Sequence, residues 1–197
     1  MKSKNIFVLF GSTDKDSFCG SLADAYEAGA RSTGHMVKRV NAGDISFDPI
    51  LHKGYKVIQA LEPDLVLIQT YMKWADHVVV FYPNWWGTMP AILKGIFDRM
   101  FLPGFAFRFQ KEGLLRGIAW EKLLSGRSAS VFITMNVHPF LAWILYGDNS
   151  NEIRRNILKF AGFSPVRLFK VGPIERMKQP ALDALKRKAT KLGARAW

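Results

Sequence analysis

The sequence is poor in cysteine, poor in acid, and without the glycine-rich signatures of the common nucleotide sites. Its 197 residues contain one cysteine, Cys19. No disulfide framework can support the fold, and a reducing, cytoplasmic setting fits. The four histidines (His35, His52, His77 and His138) are scattered, and none stands at zinc-ligand spacing with Cys19, so no metal site is expected. There is no Gly-x-Ser-x-Gly elbow to raise a hydrolase serine. A Walker loop ending in Gly-Lys-Ser/Thr and a Gly-x-Gly-x-x-Gly fingerprint are both absent. Met-Lys-Ser-Lys precedes an apolar run, Ile6–Phe10, too short for the core of a secretory leader.

Apolar material is plentiful: 49% of residues are hydrophobic and 13% aromatic, enough for one well-filled core. From Ser128 to Gly147 no Asp, Glu, Lys or Arg occurs, a span long enough to cross a bilayer. Asn136, His138 and Pro139 fall at its middle, where polar groups and a missing amide cost most, so the stretch reads as a buried strand, a loop and an apolar segment. The net charge is +12, and residues 151–197 hold 12 Lys or Arg against Glu152, Glu175 and Asp183. That excess fits a solvated basic face. It lacks the interleaved aromatics and the module motifs of a nucleic-acid binder, so no nucleic acid is expected.

The apolar pattern alternates between strand-like and helical segments. Strands are expected at 5–10, 36–40, 78–82, 128–134 and 166–171. A helix opens at Asp16 or Ser17 as cap and runs to a stop at Gly34. Others start at Pro63 and end near Trp74, run from Ala91 to Phe101 behind Pro90, and run from Asn149 to Phe160 before Gly162. A last amphipathic helix is opened by Pro180 and carries Leu182, Leu185, Ala189 and Leu192 on one face. Residues 41–56 read as irregular, and Phe105, Phe107 and Phe109 alternate as in a short extended segment. Strands alternating with helices imply a doubly wound, five-stranded parallel sheet with helices on both faces, and residues 1–197 show no domain boundary. Ligands of such sheets sit at the carboxyl ends of the strands, which singles out loops 11–17, 83–89 and 134–139.

The first loop joins a buried strand to a helix N-terminus, where amides with Ser12, Thr13 and Ser17 can hold a phosphate. In the second, Trp85 and Trp86 are adjacent and cannot both enter one core. One should pack inward and the other present a flat face, with Gly87 allowing backbone close to a planar ring. His138 is the one histidine in a ligand-facing loop, a candidate for proton transfer. Phe101, Phe105, Phe107 and Phe109 with Trp85 are more aromatic surface than one irregular segment buries easily, which points to an interface or ligand site.

The run from Val80 to Phe109, with Pro90-Ala-Ile-Leu-Lys-Gly95 and a tryptophan four residues upstream, resembles the NAD(P)H:quinone reductase family of flavodoxin-like flavoproteins. Asp16-Ser17-Phe18 and Phe160-Ala-Gly-Phe163 extend the resemblance. It implies a flavin-dependent NAD(P)H oxidoreductase that passes hydride to a quinone or similar small acceptor by ping-pong kinetics. Ser12, Asp16, Ser17, Phe18, Cys19 and Ser21 would lie around the flavin phosphate. Pro83, Asn84, Trp85, Trp86 and Gly87 would run along the isoalloxazine, and Thr134, Met135 and Asn136 would touch its other side. Phe107 and Phe109 would wall the acceptor pocket, in a homodimer whose active site lies between subunits; His138, by its place in the third loop, stands beside them as a substrate-binding candidate. FAD and FMN, and NADH and NADPH, stay open as cofactor and donor. The family often carries Asn where Cys19 stands and His where Ser12 stands, a Thr-Thr-Gly-Gly loop in place of Thr134-Met-Asn-Val137, and tyrosines for the pocket phenylalanines. Some members of the family look like regulatory flavin subunits of membrane transporters. The apolar Phe140–Leu145 run and the basic C-terminal part keep that alternative, and a peripheral membrane contact, in view.

Overall fold

Strand β1 (Asn5–Phe10) is apolar throughout after its first residue, and it buries both of its faces. This computed structural model describes residues 2–110, 119–148 and 150–197. Beside β1 lie β2 (Met36–Asn41) on one side and β3 (His77–Pro83) on the other. Two further strands belong to a separate antiparallel pair, β4 (Phe107–Phe109) and β5 (Trp120–Lys122). The main sheet is completed by β6 (Ser128–Thr134) and β7 (Val166–Val171), all parallel, in the order β2-β1-β3-β6-β7. This is the doubly wound five-stranded sheet expected from the alternation of segments. β5 was not expected, because its three residues give no periodic signal.

Alternate residues of each strand feed two separate cores. Phe7, Leu9, Val78, Val80 and Tyr82 face one; Ile6, Val8, Phe10, Val79 and Phe81 face the other. Burying each such side chain contributes ~1.5–3 kcal/mol, which is why a continuous apolar run is stable here as a central strand. The first core is covered by α2 (Pro63–Trp74) and α3 (Ala91–Met100), the second by α1 (Phe18–Ser32).

Ser17 is the cap of α1, its Oγ accepting from the Gly20 amide at 3.2 Å, and Gly34, at φ 81°, follows the helix end. Pro90 stands one position ahead of α3 as its cap rather than within the first turn. Arg99 of α3 is fully buried. It donates to the carbonyls of Asp48 and of Ala60 (2.7 Å) and to both Glu62 oxygens, at 3.1 and 3.0 Å. These bonds pin the irregular segment 45–62, and Gly95 lets Pro49 lie against the helix, since a Cβ there would fall 2.5 Å from the proline.

The charge-free stretch resolves into β6, a loop and the short helix α4 (Pro139–Tyr146). Among the described residues no helix is long and apolar enough to cross a membrane. Only Ala142 of α4 is buried; Phe140, Leu141, Trp143, Ile144, Leu145 and Tyr146 are all exposed. The helix expected from Asn149 is instead a π-helical segment, Glu152–Lys159, and Asn149 itself lies outside the described residues. Ile153 and Leu158, five residues apart, are both buried in the first core. One extra residue per turn brings that spacing to one side, and the Phe160 amide accordingly reaches back five residues to the Arg155 carbonyl. The last helix, α5 (Gln179–Ala194), crosses α1 backbone to backbone. A Cβ on Gly29 would sit 2.0 Å from the Thr190 carbonyl oxygen, and one on Gly193 2.0 Å from that of Tyr26.

Candidate functional site

The chain leaves β1 for α1 on one face of the sheet and leaves β3 for α3 on the other, so a crevice opens between them at the carboxyl ends of the strands. A cavity of about 290 Å³ lies there, at the small end of sites that hold organic ligands. Ser12, Ser17, Phe18 and Cys19 line it from the first loop, Pro83, Asn84 and Trp85 from the second, and Thr134, Met135 and Asn136 from the third. The structure therefore brings together ten of the residues singled out in sequence. Asp16, Ser21, Trp86 and Gly87 are not in the lining. Ser21 is occupied within its helix, its hydroxyl donating to the Phe18 carbonyl at 2.8 Å.

The first loop is held from both ends. Ser17 Oγ donates to the Asp14 carbonyl at 2.7 Å, and the Asp16 amide donates to Asp14 Oδ1 at 3.1 Å. Glycines permit the tight path: a Cβ on Gly20 would lie 2.0 Å from the Lys15 carbonyl, and one on Gly43 2.8 Å from the Thr13 Cα. Burial pushes the Cys19 thiol up to about 12, a hydrogen bond with Thr134 only partly opposing it. Cys19 is thus a neutral wall residue at physiological pH, with no nucleophilic thiolate to offer.

The other loops are stitched to one another. The Asn84 amide donates to Thr134 O (2.7 Å), the Met135 amide to Val171 O (2.9 Å), and the Ile174 amide to Met135 O (3.0 Å). Asn136 Nδ2 donates to Glu175 Oε1 at 2.6 Å. Ile174 and Glu175, in the loop after β7, line the cavity too, as does Asp14. Sequence reasoning missed these three, and for the β7 loop the rule of carboxyl-end loops, applied to the fifth strand, would have found them. Among the described residues no Lys or Arg lines the cavity, whereas the carboxylates of Asp14 and Glu175 do. A phosphate here would depend on the N-terminus of α1 rather than on a cationic side chain. Hydroxyls and amides beside Phe18, Trp85, Met135 and Ile174 suit a ligand with a flat apolar face, a polar edge and a hydroxylated chain, so the residues fit a flavin.

The tryptophan loop corrects an expectation. Trp85 and Thr88 exchange backbone hydrogen bonds at 2.9 and 3.1 Å around Trp86 (φ 52°) and Gly87 (φ 80°), a tight turn with both central residues left-handed. Neither tryptophan packs into a core: Trp85 is 48% exposed and Trp86 fully exposed. A bulky residue in the left-handed region is strained by ~1–2 kcal/mol, and such strain gathers at working sites. The Thr88 hydroxyl donates to Glu152 Oε2 at 2.5 Å, tying this turn to the π-helical segment.

Phe107 and Phe109 lie in a second cavity of about 590 Å³, with Phe97, Phe101, Phe160 and Tyr55 around them. Phe107 meets Phe109 and Phe160 edge-on at 5.1 and 5.0 Å. Phe105, expected in the same exposed aromatic group, is buried in the first core. His138 stays outside both cavities. It caps α4, its Nδ1 accepting from the Phe140 amide at 3.3 Å, and it borders a third hollow between β7 and α5. His77, at the far end of the sheet, is held neutral chiefly by burial, its pKa lowered to about 3. No group of His, Cys, Asp or Glu suited to a metal ion occurs among the described residues.

The sequence model of a family described by its flavodoxin-like fold matches residues 4–195. NAD(P)H dehydrogenase [quinone] 1 of Rattus norvegicus is 24% identical over 204 residues, covering 87% of this chain and 71% of its own length. The solved structure of Smu.1420 from Streptococcus mutans UA159 superposes with a TM-score of 0.81 at 27% identity, over 96% of this chain and 98% of that one. An FMN-dependent NADH-azoreductase from Bacillus anthracis, solved in complex with FMN, matches at a TM-score of 0.77 and 13% identity, covering 96% and 98% of the two chains.

Proposed function

The chain belongs to the flavodoxin-like fold family, and from that premise we propose that it is a flavin-dependent NAD(P)H oxidoreductase passing electrons to a quinone-like acceptor. The observation that carries the reading is the crevice at the β1–β3 switch point, where the capped loop at Ser17, the Asn84–Trp85 stretch and Thr134–Asn136 meet around one cavity. A relative named for NAD(P)H and quinone supports the donor and acceptor classes.

The residues divide the work. Ser12, Ser17 and the start of α1 receive the flavin phosphate; Phe18 and Cys19 close the site behind it. Pro83, Asn84 and Trp85 would hold the ring from the second loop, followed by Trp86 and Gly87 in the turn, and Thr134, Met135 and Asn136 from the third. Glu175 fixes Asn136 in place. A bound flavin would supply two-electron redox chemistry between NAD(P)H and the acceptor, while the protein binds, orients and tunes it. That division of labour needs no acid–base constellation, and His138 in its capping place is not required for it. Phe107 and Phe109 wall the acceptor cavity, and a second copy of the chain completes the site in a homodimer.

The test is the absorbance spectrum of the purified protein, followed by release and identification of the flavin as FAD or FMN. A yellow protein, or tight uptake of either flavin, is expected. With both substrates sharing one pocket, double-reciprocal plots should be parallel. Failure to bind either flavin at micromolar concentration overturns the reading, and a fully active monomer at high dilution overturns the dimeric site.

A further inference from the structure

The aromatic cavity beside the tryptophan turn has apolar walls and an unbalanced charge. Among the described residues, the charged groups lining it are Lys94, Asp98 and Glu152. Lys94 and Asp98 cancel, the ammonium lying 2.7 and 2.9 Å from the two carboxylate oxygens. No ion pair reaches Glu152 among the described residues. Its hydrogen bond is from the Thr88 hydroxyl, at 2.5 Å. That bond, with the burial of the adjacent Ile153, sets where the carboxylate lies against the cavity.

We propose that Glu152 sets the charge class of the electron acceptor, so that cationic and neutral aromatic acceptors are taken in preference to anionic ones. The inference rests on the reading of this cavity as the acceptor pocket. A planar acceptor placed against Phe107 and Phe109 displaces water, and a charge it carries then interacts with the fixed carboxylate through a medium of lower dielectric than water. At a separation of ~7 Å and an effective dielectric constant of ~20–40, that interaction changes affinity by about tenfold or somewhat more for each unit of acceptor charge. The overall reaction is the same for each acceptor: NAD(P)H gives a hydride and becomes NAD(P)+, one proton comes from solvent, and the quinone leaves as hydroquinone. The nicotinamide ring is uncharged in NAD(P)H and becomes a cation as hydride leaves, so Glu152 also acts on the donor half-reaction; that half-reaction is common to all acceptors and cancels in their ratio.

The experiment compares kcat/KM for an uncharged naphthoquinone, a naphthoquinone sulfonate and a quinone carrying a quaternary ammonium group, with wild type and Glu152→Gln. The amide keeps an oxygen for the Thr88 hydroxyl and removes the charge. Only the ratio between acceptors is read, so a general loss of rate cancels. In wild type the cationic acceptor should lead the anionic one, and the variant should lower that ratio by about a hundredfold or more, tenfold for each of the two charge units that separate the acceptors. Glu152→Ala, read by the same ratio, decides the question should the amide variant fail to fold. A ratio unchanged by the substitutions, or a wild type that prefers the anionic acceptor, overturns the assignment. A flavin-loaded wild type that reduces none of the three acceptors overturns the reading of the pocket, and this inference with it.

Discussion

Replacing Arg99 with methionine tests what fixes the irregular segment over the first core. Methionine keeps the length of the stem and removes the guanidinium. The carbonyls of Asp48 and Ala60 then lose a charged donor, while Glu62, with 29% of its side chain exposed, can turn toward water. An apolar substitute for a buried ion is sometimes neutral or stabilising, because it removes a desolvated charge. Here the guanidinium Nε already lacks a partner, which weakens the wild type. Against that stand two carbonyls left unpaired, at ~1–3 kcal/mol each, so a net loss of about 2–4 kcal/mol is expected. For a chain of this size that lowers Tm by roughly 4–16 °C, at 2–4 °C per kcal/mol. Urea titration and calorimetry measure it. The acid limb gives a second readout. Burial pushes the Glu62 carboxyl up, but hydrogen bonds led by Arg99 outweigh it and leave its pKa below the usual 4.5. A depressed carboxylate adds stability that is full above 4.5 and is lost as pH falls through the folded value. The gap between wild type and Arg99→Met should therefore narrow in acid. Tyr55 lies in the pinned region and lines the aromatic cavity, so the variant should also raise the acceptor KM more than it lowers flavin content. A variant within 0.5 kcal/mol of wild type, by the usual scatter of surface substitutions, would show that the segment is held by something other than Arg99.

Three shorter tests accompany it. Gly29→Ala puts a methyl on the Thr190 carbonyl and should cost about 1–3 kcal/mol or more by forcing α1 from α5; an unchanged Tm would deny the backbone contact. Trp86→Asn relieves a left-handed tryptophan and should raise stability by about 1 kcal/mol while weakening flavin binding, so that a loss of stability with full flavin affinity contradicts the strain argument. Cys19 should resist a thiol reagent at neutral pH in the folded protein and react once urea unfolds it; prompt labelling of the native chain would place its thiol outside the cavity wall.

Much of this arrangement is legible in the residues themselves. All five strands of the main sheet are where apolar runs bounded by turn residues put them, and Ser17 caps α1 as its position before a helical pattern suggests. The three loops chosen in sequence meet at one cavity because strand ends in a parallel sheet must. What stayed hidden depends on partners distant in sequence. β5 exists because Trp120–Lys122 meets β4, and the π-helical turn because Ile153 and Leu158 share a core. Thr88 and Glu152 are 64 residues apart, and neither carries a local sign that it meets the other. Trp86 could not be placed either, since propensity argues against a left-handed tryptophan and only the closed Trp85–Thr88 turn imposes it.

Strand β3 has parity. Its even positions, Val78, Val80 and Tyr82, mesh with one core, and its odd positions, Val79 and Phe81, with the other, like a comb engaging two wheels. Volume can be exchanged within either set, but a single residue added or removed exchanges the sets entirely, because the side-chain period of a strand is two. The same slip would carry the turn at Trp85–Thr88 by ~3.3 Å along the strand axis, away from Thr134 and Glu152. Changes of length in this molecule therefore have to accumulate where no such count is kept. Segment 45–62, secured at a few points by one arginine rather than meshed tooth by tooth, can absorb an extra residue that β3 cannot.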